Sequence, residues 1–198
     1  YASGDEQNAK SKRGGGGTVQ PVQITPSGVN RIGATLLANT GAGVGVAVID
    51  TGIDLTHPDL VANIGSASKT CVSRTSSAND DNGHGTHVAG TIAAANNAIG
   101  AVGVAPNAKL YAVKVLDRNG SGSWSSVICG IDWVTANATT YNIKVANMSL
   151  GGSGTNDNNC GNTNNDALHK AICRSIAKGV TYVVAAGNES SDSSKSVP

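Results

Sequence analysis

Short apolar segments alternate along this chain with stretches whose apolar residues recur at helical spacing. This alternation limits the fold more than any other feature of the sequence. A near-continuous apolar run over residues 43–49 ends at Asp50, as expected of a strand that is buried on both faces. Further strands are predicted at residues 110–115, 143–150 and 180–186, with helices at residues 85–95, 123–138 and 166–178. The sequence therefore predicts an α/β fold, a parallel β-sheet with helices on both faces.

The first twenty residues differ from the rest of the chain. They include four consecutive glycines at positions 14–17 and show no hydrophobic periodicity. We therefore interpret residues 1–20 as a flexible tail or the remnant of a pro-region. Residues 21–198 are predicted to belong to one domain, because the length suffices for a single hydrophobic core.

Charge and hydropathy exclude two classes of partner. The formal net charge is +1 and only 14% of the residues are charged, so no strong field attracts nucleic acid or an anionic membrane surface. No apolar run is long enough to cross a bilayer. We expect a monomer that binds neither nucleic acid nor membrane.

The four cysteines lie at positions 71, 129, 160 and 173, without the close spacing of a zinc site. An even number at wide spacing favours two disulfides and a secreted, extracellular protein. Three pairings are possible, and we favour Cys71–Cys129 with Cys160–Cys173, which closes a short local loop. The alternative is four free, buried thiols in a cytosolic protein.

Polar residues follow several of the predicted strands at their carboxyl ends, where parallel sheets form their sites. Asp50 ends the first strand, the segment 149–152 closes the third, and Asn188 follows the fourth. A carboxylate at the end of a buried strand is costly unless it is hydrogen-bonded. Asp50 therefore either caps the following turn or orients a histidine and stabilises its charged form.

Histidines at positions 84 and 87 lie at the start of a predicted helix. Glycines on both sides of His84 leave space around its ring, as a general base that meets a substrate requires. The two histidines could instead bind a metal, but the i, i+4 spacing and the intervening glutamate of a helical zinc pair are absent. We expect His87 to be a packed, hydrogen-bonded helix residue.

Four segments, taken in order, resemble the subtilisin family of serine proteases (subtilases, peptidase S8). They are Val-Ile-Asp-Thr-Gly-Ile-Asp at 48–54, His-Gly-Thr-His-Val-Ala-Gly-Thr-Ile-Ala at 84–93, Gly-Val-Ala-Pro at 103–106 and Val-Ala-Ala-Gly-Asn at 184–188. The resemblance runs from about Pro21 to residue 189. It implies a three-layer αβα fold and a serine endopeptidase, with Asp50 as the triad aspartate, His84 as the general base and Asn188 as an oxyanion donor.

The resemblance also implies how substrate and calcium are bound. An extended polypeptide would lie between one edge formed by Gly120, Ser121 and Gly122 and another formed by Ser149, Leu150 and Gly151. Ala185, Ala186 and Gly187 would line the primary specificity pocket. A structural Ca²⁺ would be bound by the side chains of Gln23, Asp59 and Asn97 and by the carbonyls of Ala95, Ile99 and Ala101, an all-oxygen set that suits this ion. The protein's own propeptide or a protein inhibitor would be further partners.

One element of the family pattern is absent from the 198 residues. The family places its serine on the order of 150 residues after the histidine, which puts it near position ~240. We therefore expect residues 21–198 to be the N-terminal two-thirds of a catalytic domain, inactive without the missing C-terminal part of that domain.

Two alternatives remain open from the sequence. One is a catalytically dead, subtilisin-like module that binds peptides. The other is an aspartic protease built on the single Asp50-Thr-Gly segment, which would need a second carboxylate from a homodimer and a mainly β fold.

Overall fold

The structure, a computed structural model, describes residues 20–188, 190, 192 and 196–198. The predicted tail lies outside the described residues except for Gln20. The strands are β1 (Gly45–Asp50), β2 (Lys69–Thr70), β3 (Lys109–Lys114), β4 (Ile143–Met148), β5 (Gly152–Ser153), β6 (Thr181–Val184) and β7 (Ser196–Val197). Five of them form a sheet in the order β2-β3-β1-β4-β6, in which every neighbouring pair is parallel. The remaining two, β5 and β7, form a small antiparallel pair.

The helices are α1 (Ser27–Arg31), α2 (His84–Ala93), α3 (Trp124–Asn137) and α4 (Ala167–Ile176), and a short 3-10 turn covers Ala34–Leu36. Side-chain caps set the start of α3 and α4. Ser123 accepts a hydrogen bond from the backbone N–H of Ser126, and Asp166 accepts from Leu168 and His169. Within the described part of the chain, no helix is long and apolar enough to cross a membrane.

Side chains of the central strand alternate between two cores. Val46 and Val48 pack in the core that contains Ala89 and Ala93 of α2. Ala47 and Ile49 point to the other face, where α3 and α4 contribute the apolar residues Val127, Ile131, Val134, Leu168 and Ala171. Helices therefore cover both faces of the parallel sheet, and the predicted fold class is confirmed.

The strand boundaries differ from the prediction where the pattern carries no periodic signal. The fourth predicted strand ends at Val184 rather than at residue 186: the N–H of Ala185 still donates to the carbonyl of Met148, and Ala186 and Gly187 have no strand conformation. The strands β2, β5 and β7 were not predicted, since a two-residue strand has no hydrophobic period to detect.

Both favoured disulfides are present. Cys71 after β2 is joined to Cys129 of α3, and Cys160 is joined to Cys173 of α4. The first bridge therefore fastens the segment after the edge strand to a helix on the face of the sheet. The second closes the loop in front of α4.

Candidate active site

The carboxyl ends of the parallel strands meet at one edge of the sheet, as the strand pattern predicts. An open hollow of about 580 Å³ lies there. It is lined by Thr51, Asn82, His84, Leu116, Asn119, Gly120, Ser121, Gly122, Trp124, Val127, Ser149, Leu150 and Gly151. The structure thus brings His84 and both predicted substrate-binding edges to one cavity.

A buried carboxylate and a half-exposed imidazole form the polar centre of this hollow. Nδ1 of His84 lies 2.8 Å from Oδ1 of Asp50, whose side chain is fully buried, whereas half of the His84 side chain is exposed. The backbone N–H of Thr51 donates to the same oxygen at 2.7 Å. Because a carboxylate only accepts hydrogen bonds, Nδ1 carries the hydrogen and Nε2 of the neutral ring is the acceptor. This is the tautomer that a general base requires.

Burial raises the pKa of the Asp50 carboxyl above its usual value, against the opposing effect of the hydrogen bonds from His84 and Thr51. Its second oxygen, Oδ2, is buried and has no hydrogen-bond partner among the described residues. The surroundings of this carboxylate therefore oppose its negative charge. The hydrogen bonds that compensate the charge are made to one of its two oxygens, Oδ1.

Two glycines allow His84 to approach this carboxylate. Gly83 precedes α2 with φ at 111°, a left-handed conformation that L-residues rarely adopt. A Cβ on Gly85 would collide with the carbonyl oxygen of Gly52 and would stand 3.2 Å from Cβ of Asp50. The first turn of α2 therefore lies directly against the end of β1, which places the imidazole within hydrogen-bond distance of the acid.

Asp80 fixes the loop in front of His84. Its two oxygens accept five hydrogen bonds at 2.6–3.0 Å, from the hydroxyl of Thr51, the N–H groups of Asn82 and Gly83, and the N–H and hydroxyl of Thr86. Burial opposes ionisation, but the hydrogen bonds from Gly83, Thr86 and Asn82 outweigh it and lower the pKa of Asp80. The hydroxyl of Thr51 also accepts from the N–H of Gly85 at 2.9 Å. The loop and the first turn of α2 are thus tied to the residue that follows Asp50.

The predicted oxyanion donor and pocket residues follow β6 at the same edge of the sheet. Asn188 is exposed, and it does not line the hollow that contains His84. Ala185 and Ala186 line a second, smaller hollow of about 270 Å³ together with Val184, Ser196, Val197 and Pro198. The residues after β6 therefore lie at the same end of the sheet as the carboxylate–imidazole pair. Ala185 and Ala186 line a separate depression.

The predicted calcium ligands are grouped where the N-terminal segment meets the loop after α2. Asp59 is buried, and its Oδ1 has no hydrogen-bond partner among the described residues. The carbonyls of Ala95, Ile99 and Ala101 accept no hydrogen bond from the described backbone. These four oxygens fit a hard cation.

The other two predicted ligands are engaged by backbone groups. Oε1 of Gln23 accepts from the N–H groups of Asn97 and Ala98, and Oδ1 of Asn97 accepts from the N–H of Ile99. Gln23 would therefore have to release a backbone group before it could bind an ion.

His87 does not behave as the sequence predicts. It is exposed on α2 rather than packed, because the packed face of this helix is formed by small residues such as Ala89 and Ala93. Across the described parts of the chain, no group of three or more histidine, cysteine, aspartate or glutamate side chains could hold a metal ion. The expectation of a packed His87 was wrong.

Several site residues were missed by the sequence analysis. Asp80 and Thr51 are polar residues of a loop and a turn, and nothing in their local pattern shows that they bind each other. For Lys114 the sequence does contain an indication, because a charged residue inside an apolar strand needs a buried partner. In the structure its side chain is only 1% exposed.

The structure is thus a mainly parallel α/β sheet with a buried carboxylate that is hydrogen-bonded to a half-exposed imidazole in an open cleft. The model of the subtilase family matches residues 41–198, and the chain belongs to this family.

Among curated proteins, the chain is 46% identical over 177 residues to subtilisin E from Bacillus subtilis (strain 168) and to a subtilisin from Bacillus pumilus. It is 45% identical over 174 residues to subtilisin Savinase from Lederbergia lenta. These matches cover 88%, 88% and 86% of the chain and 42%, 59% and 58% of the relatives, respectively. The chain thus spans about half the length of the curated relatives it matches.

Proposed function

We propose that this sequence belongs to a serine endopeptidase in which Asp50 and His84 are two members of an Asp–His–Ser triad. The observation that carries the proposal is the 2.8 Å hydrogen bond between Oδ1 of Asp50 and Nδ1 of His84. Because this hydrogen bond uses Nδ1, the other ring nitrogen of the half-exposed histidine, Nε2, can accept a proton in the cleft. Membership of the subtilase family supports the same reaction class. A mainly parallel α/β sheet does not fit the aspartic protease alternative, which needs a mainly β fold.

In the proposed reaction, Nε2 of His84 removes the proton from a serine hydroxyl, which attacks the carbonyl carbon of the scissile peptide bond. The imidazolium formed is stabilised by the Asp50 carboxylate and then gives its proton to the leaving amine. Asn188 donates a hydrogen bond to the oxyanion of the tetrahedral intermediate. Water then repeats the sequence on the acyl-enzyme. The proposal takes the serine from sequence beyond Pro198.

The proposed substrate is an extended polypeptide that adds a strand between the two edges of the cleft. Among the described residues, the backbone N–H of Gly122 makes no hydrogen bond, which supports its pairing with such a strand. We further propose that Ala185, Ala186 and Gly187 receive the side chain before the cleaved bond, since two of them line the second hollow. A propeptide or a protein inhibitor would occupy the same cleft.

We also propose a structural Ca²⁺ site formed by Gln23, Asp59 and Asn97 with the carbonyls of Ala95, Ile99 and Ala101. The unpartnered, buried Oδ1 of Asp59 supports it, because an ionised oxygen without a donor is costly unless a cation compensates it. Bound there, the ion would hold the N-terminal segment against the loop after α2. The two disulfides support secretion into an oxidising environment.

Calcium binding is tested by thermal unfolding of the full-length protein. Saturating Ca²⁺ should raise Tm, and Asp59→Asn should remove most of this increase, because the only carboxylate of the set is lost. Asp132→Asn is the control, since Asp132 lies on α3 in an exposed ion pair with Arg174. An equal calcium response in wild type and Asp59→Asn would refute the proposed site.

The catalytic proposal is tested by peptide hydrolysis with the complete gene product. A serine-directed phosphonofluoridate should abolish hydrolysis, and His84→Ala should lower kcat by several orders of magnitude. Hydrolysis that persists after treatment with the reagent would refute the serine mechanism. Peptide binding without hydrolysis would instead favour the catalytically dead module.

A further inference from the structure

Lys114 is a buried cation beside the candidate active site. It ends β3 directly opposite Asp50 of the neighbouring strand β1, and its side chain is only 1% exposed. An ammonium group removed from water is strongly destabilising unless it is paired and hydrogen-bonded. Its partners should therefore show what it does.

The ammonium group has three hydrogen-bond acceptors, one for each of its N–H bonds. Nζ donates to the carbonyl of Thr51 at 2.6 Å, to Oδ1 of Asp81 at 2.6 Å and to the carbonyl of Leu116 at 2.9 Å. Asp81 is about half exposed, so the ion pair lies between the interior and the surface. The donor capacity of the lysine is thus fully used.

Each acceptor belongs to a different part of the site. Thr51 follows Asp50 and donates its N–H to that carboxylate. Asp81 lies three residues before His84, and Leu116 lines the cleft on the strand extension that leads to Gly120. One charged group therefore joins the segments that carry the acid, the base and one substrate edge.

A purely stabilising role explains this arrangement poorly. Apolar residues of similar volume often replace buried ion pairs without loss of stability, so a lysine is not needed to fill the space. Two of its three acceptors are backbone carbonyls, so the lysine contributes to stability as well as to position, and the two contributions are separated by measuring the geometry of the His84–Asp50 pair beside unfolding. The arrangement also defines where three separate chain segments stand relative to one another.

We propose that Lys114 is a positioning residue, which holds the loop of Asp81 against the carbonyls of Thr51 and Leu116 and so sets the position of His84 relative to Asp50 and the cleft edge. This inference rests on the proposed function, because it assigns the lysine a part in the action of the Asp50–His84 pair. Errors of about 1 Å in such positions can cost on the order of 100-fold in rate.

The test uses the full-length protein with Lys114→Met, Asp81→Ala and Asp81→Asn. We expect kcat to fall about 10- to 100-fold in Lys114→Met with little change in KM, because the misplaced pair acts in the transition state. Asp81→Ala should show a smaller fall, and Asp81→Asn, which keeps an oxygen acceptor, should recover most of it. Asp132→Asn, which removes an exposed ion pair on α3, should leave kcat unchanged.

A second readout does not depend on hydrolysis. The proton between Nδ1 of His84 and the Asp50 carboxylate should give a low-field NMR resonance, which should broaden or shift in Lys114→Met and Asp81→Ala but not in Asp132→Asn. A structural role alone would lower Tm and leave this resonance unchanged.

If Lys114→Met folds and has the same low-field resonance and the same kcat as the wild type, the inference is overturned. If that variant does not fold, the same result in Asp81→Ala would overturn it. A wild-type protein that does not hydrolyse peptides would instead contradict the proposed function, and the resonance would still decide the role of Lys114.

Discussion

The Asp50 carboxylate lies at the end of a buried strand, where the surroundings oppose its charge. Only one of its oxygens accepts hydrogen bonds from the described residues, and burial raises its pKa. Such a group lowers stability at neutral pH, a cost that is typical of functional sites. The network around Asp80 has the opposite character, because it is fully hydrogen-bonded and its pKa is lowered.

Asp50→Asn should separate activity from stability. We expect kcat to fall by about 10⁴-fold, because an amide no longer holds the required histidine tautomer. The free energy of unfolding at pH 7 should rise, since a neutral side chain replaces a buried charge. Denaturant unfolding and peptide hydrolysis of the full-length variant measure the two effects.

The sign of the pH dependence follows from the raised pKa. The folded state holds the Asp50 proton more tightly than the unfolded chain, whose pKa is near 3.8, so this group's contribution to stability is lost as pH rises through the folded pKa. The free energy of unfolding of Asp50→Asn should therefore exceed that of the wild type at pH 7. This difference should disappear at pH values below the pKa of Asp50 in the unfolded chain. A variant that is less stable than wild type at pH 7 but not at low pH would contradict this account.

The sequence indicated individual site residues only where a local pattern exposed them. Asp50 follows an apolar run and His84 stands between two glycines, so both could be predicted as candidates. The partners of Lys114 come from three separated segments, and no local pattern contains that information. His87 was expected to pack because the spacing of a helical metal pair is absent, but the residue is exposed.

At the scale of secondary structure elements, the approach of α2 to β1 determines the geometry of the site. Gly85→Ala should lower both kcat and stability, because its Cβ would collide with the carbonyl of Gly52. A loss of about 1–3 kcal/mol is expected from such overpacking.

Gly90→Ala is the matched control on the same helix. A Cβ at Gly90 meets no atom within 4 Å, so alanine should stabilise the helix by about 0.5–1 kcal/mol and leave kcat unchanged. Thermal unfolding and hydrolysis assays check both variants. Equal effects of the two substitutions would show that helix propensity, rather than contact with β1, governs this position.

The two disulfides should contribute unequally to stability. Their cysteines are 58 and 13 residues apart, so chain entropy gives about 4 kcal/mol for Cys71–Cys129 and about 3 kcal/mol for Cys160–Cys173. Paired cysteine-to-serine variants, compared by denaturant unfolding, should therefore lose more stability at the first bridge. A larger loss at the second bridge would show that local strain or residual structure outweighs loop length.

Long, periodic elements could be predicted from the sequence, whereas their ends and the shortest strands could not. The helix predicted at residues 166–178 is observed at Ala167–Ile176, where Asp166 caps its start. The strand β2 depends on pairing with β3, and the pair β5–β7 joins residues more than 40 positions apart. Tertiary contacts decide these elements, and a short stretch of sequence does not encode them.

At the scale of the whole molecule, Asp50 and the two edges of the cleft come together because parallel strands end at the same edge of one sheet, and the start of α2 brings His84 to the same place. The alternation of strands and helices predicted that Asp50, the segment 149–152 and Asn188 would lie at this edge, and Asn188 does not line the hollow that contains His84. The chain covers 42–59% of the lengths of subtilisin E, the Bacillus pumilus subtilisin and subtilisin Savinase, so the proposed reaction concerns the complete gene product.

The rate at which a fluorophosphonate labels the full-length protein tests the central claim most directly, because the reagent reports an activated serine without a peptide substrate. We predict labelling of a single serine in the wild type and labelling slower by several orders of magnitude in His84→Ala. Intact mass and peptide mapping would identify the modified residue. Equal labelling rates in the two proteins, or no labelling of a folded wild type, would contradict the assignment of His84 as the base that activates a serine.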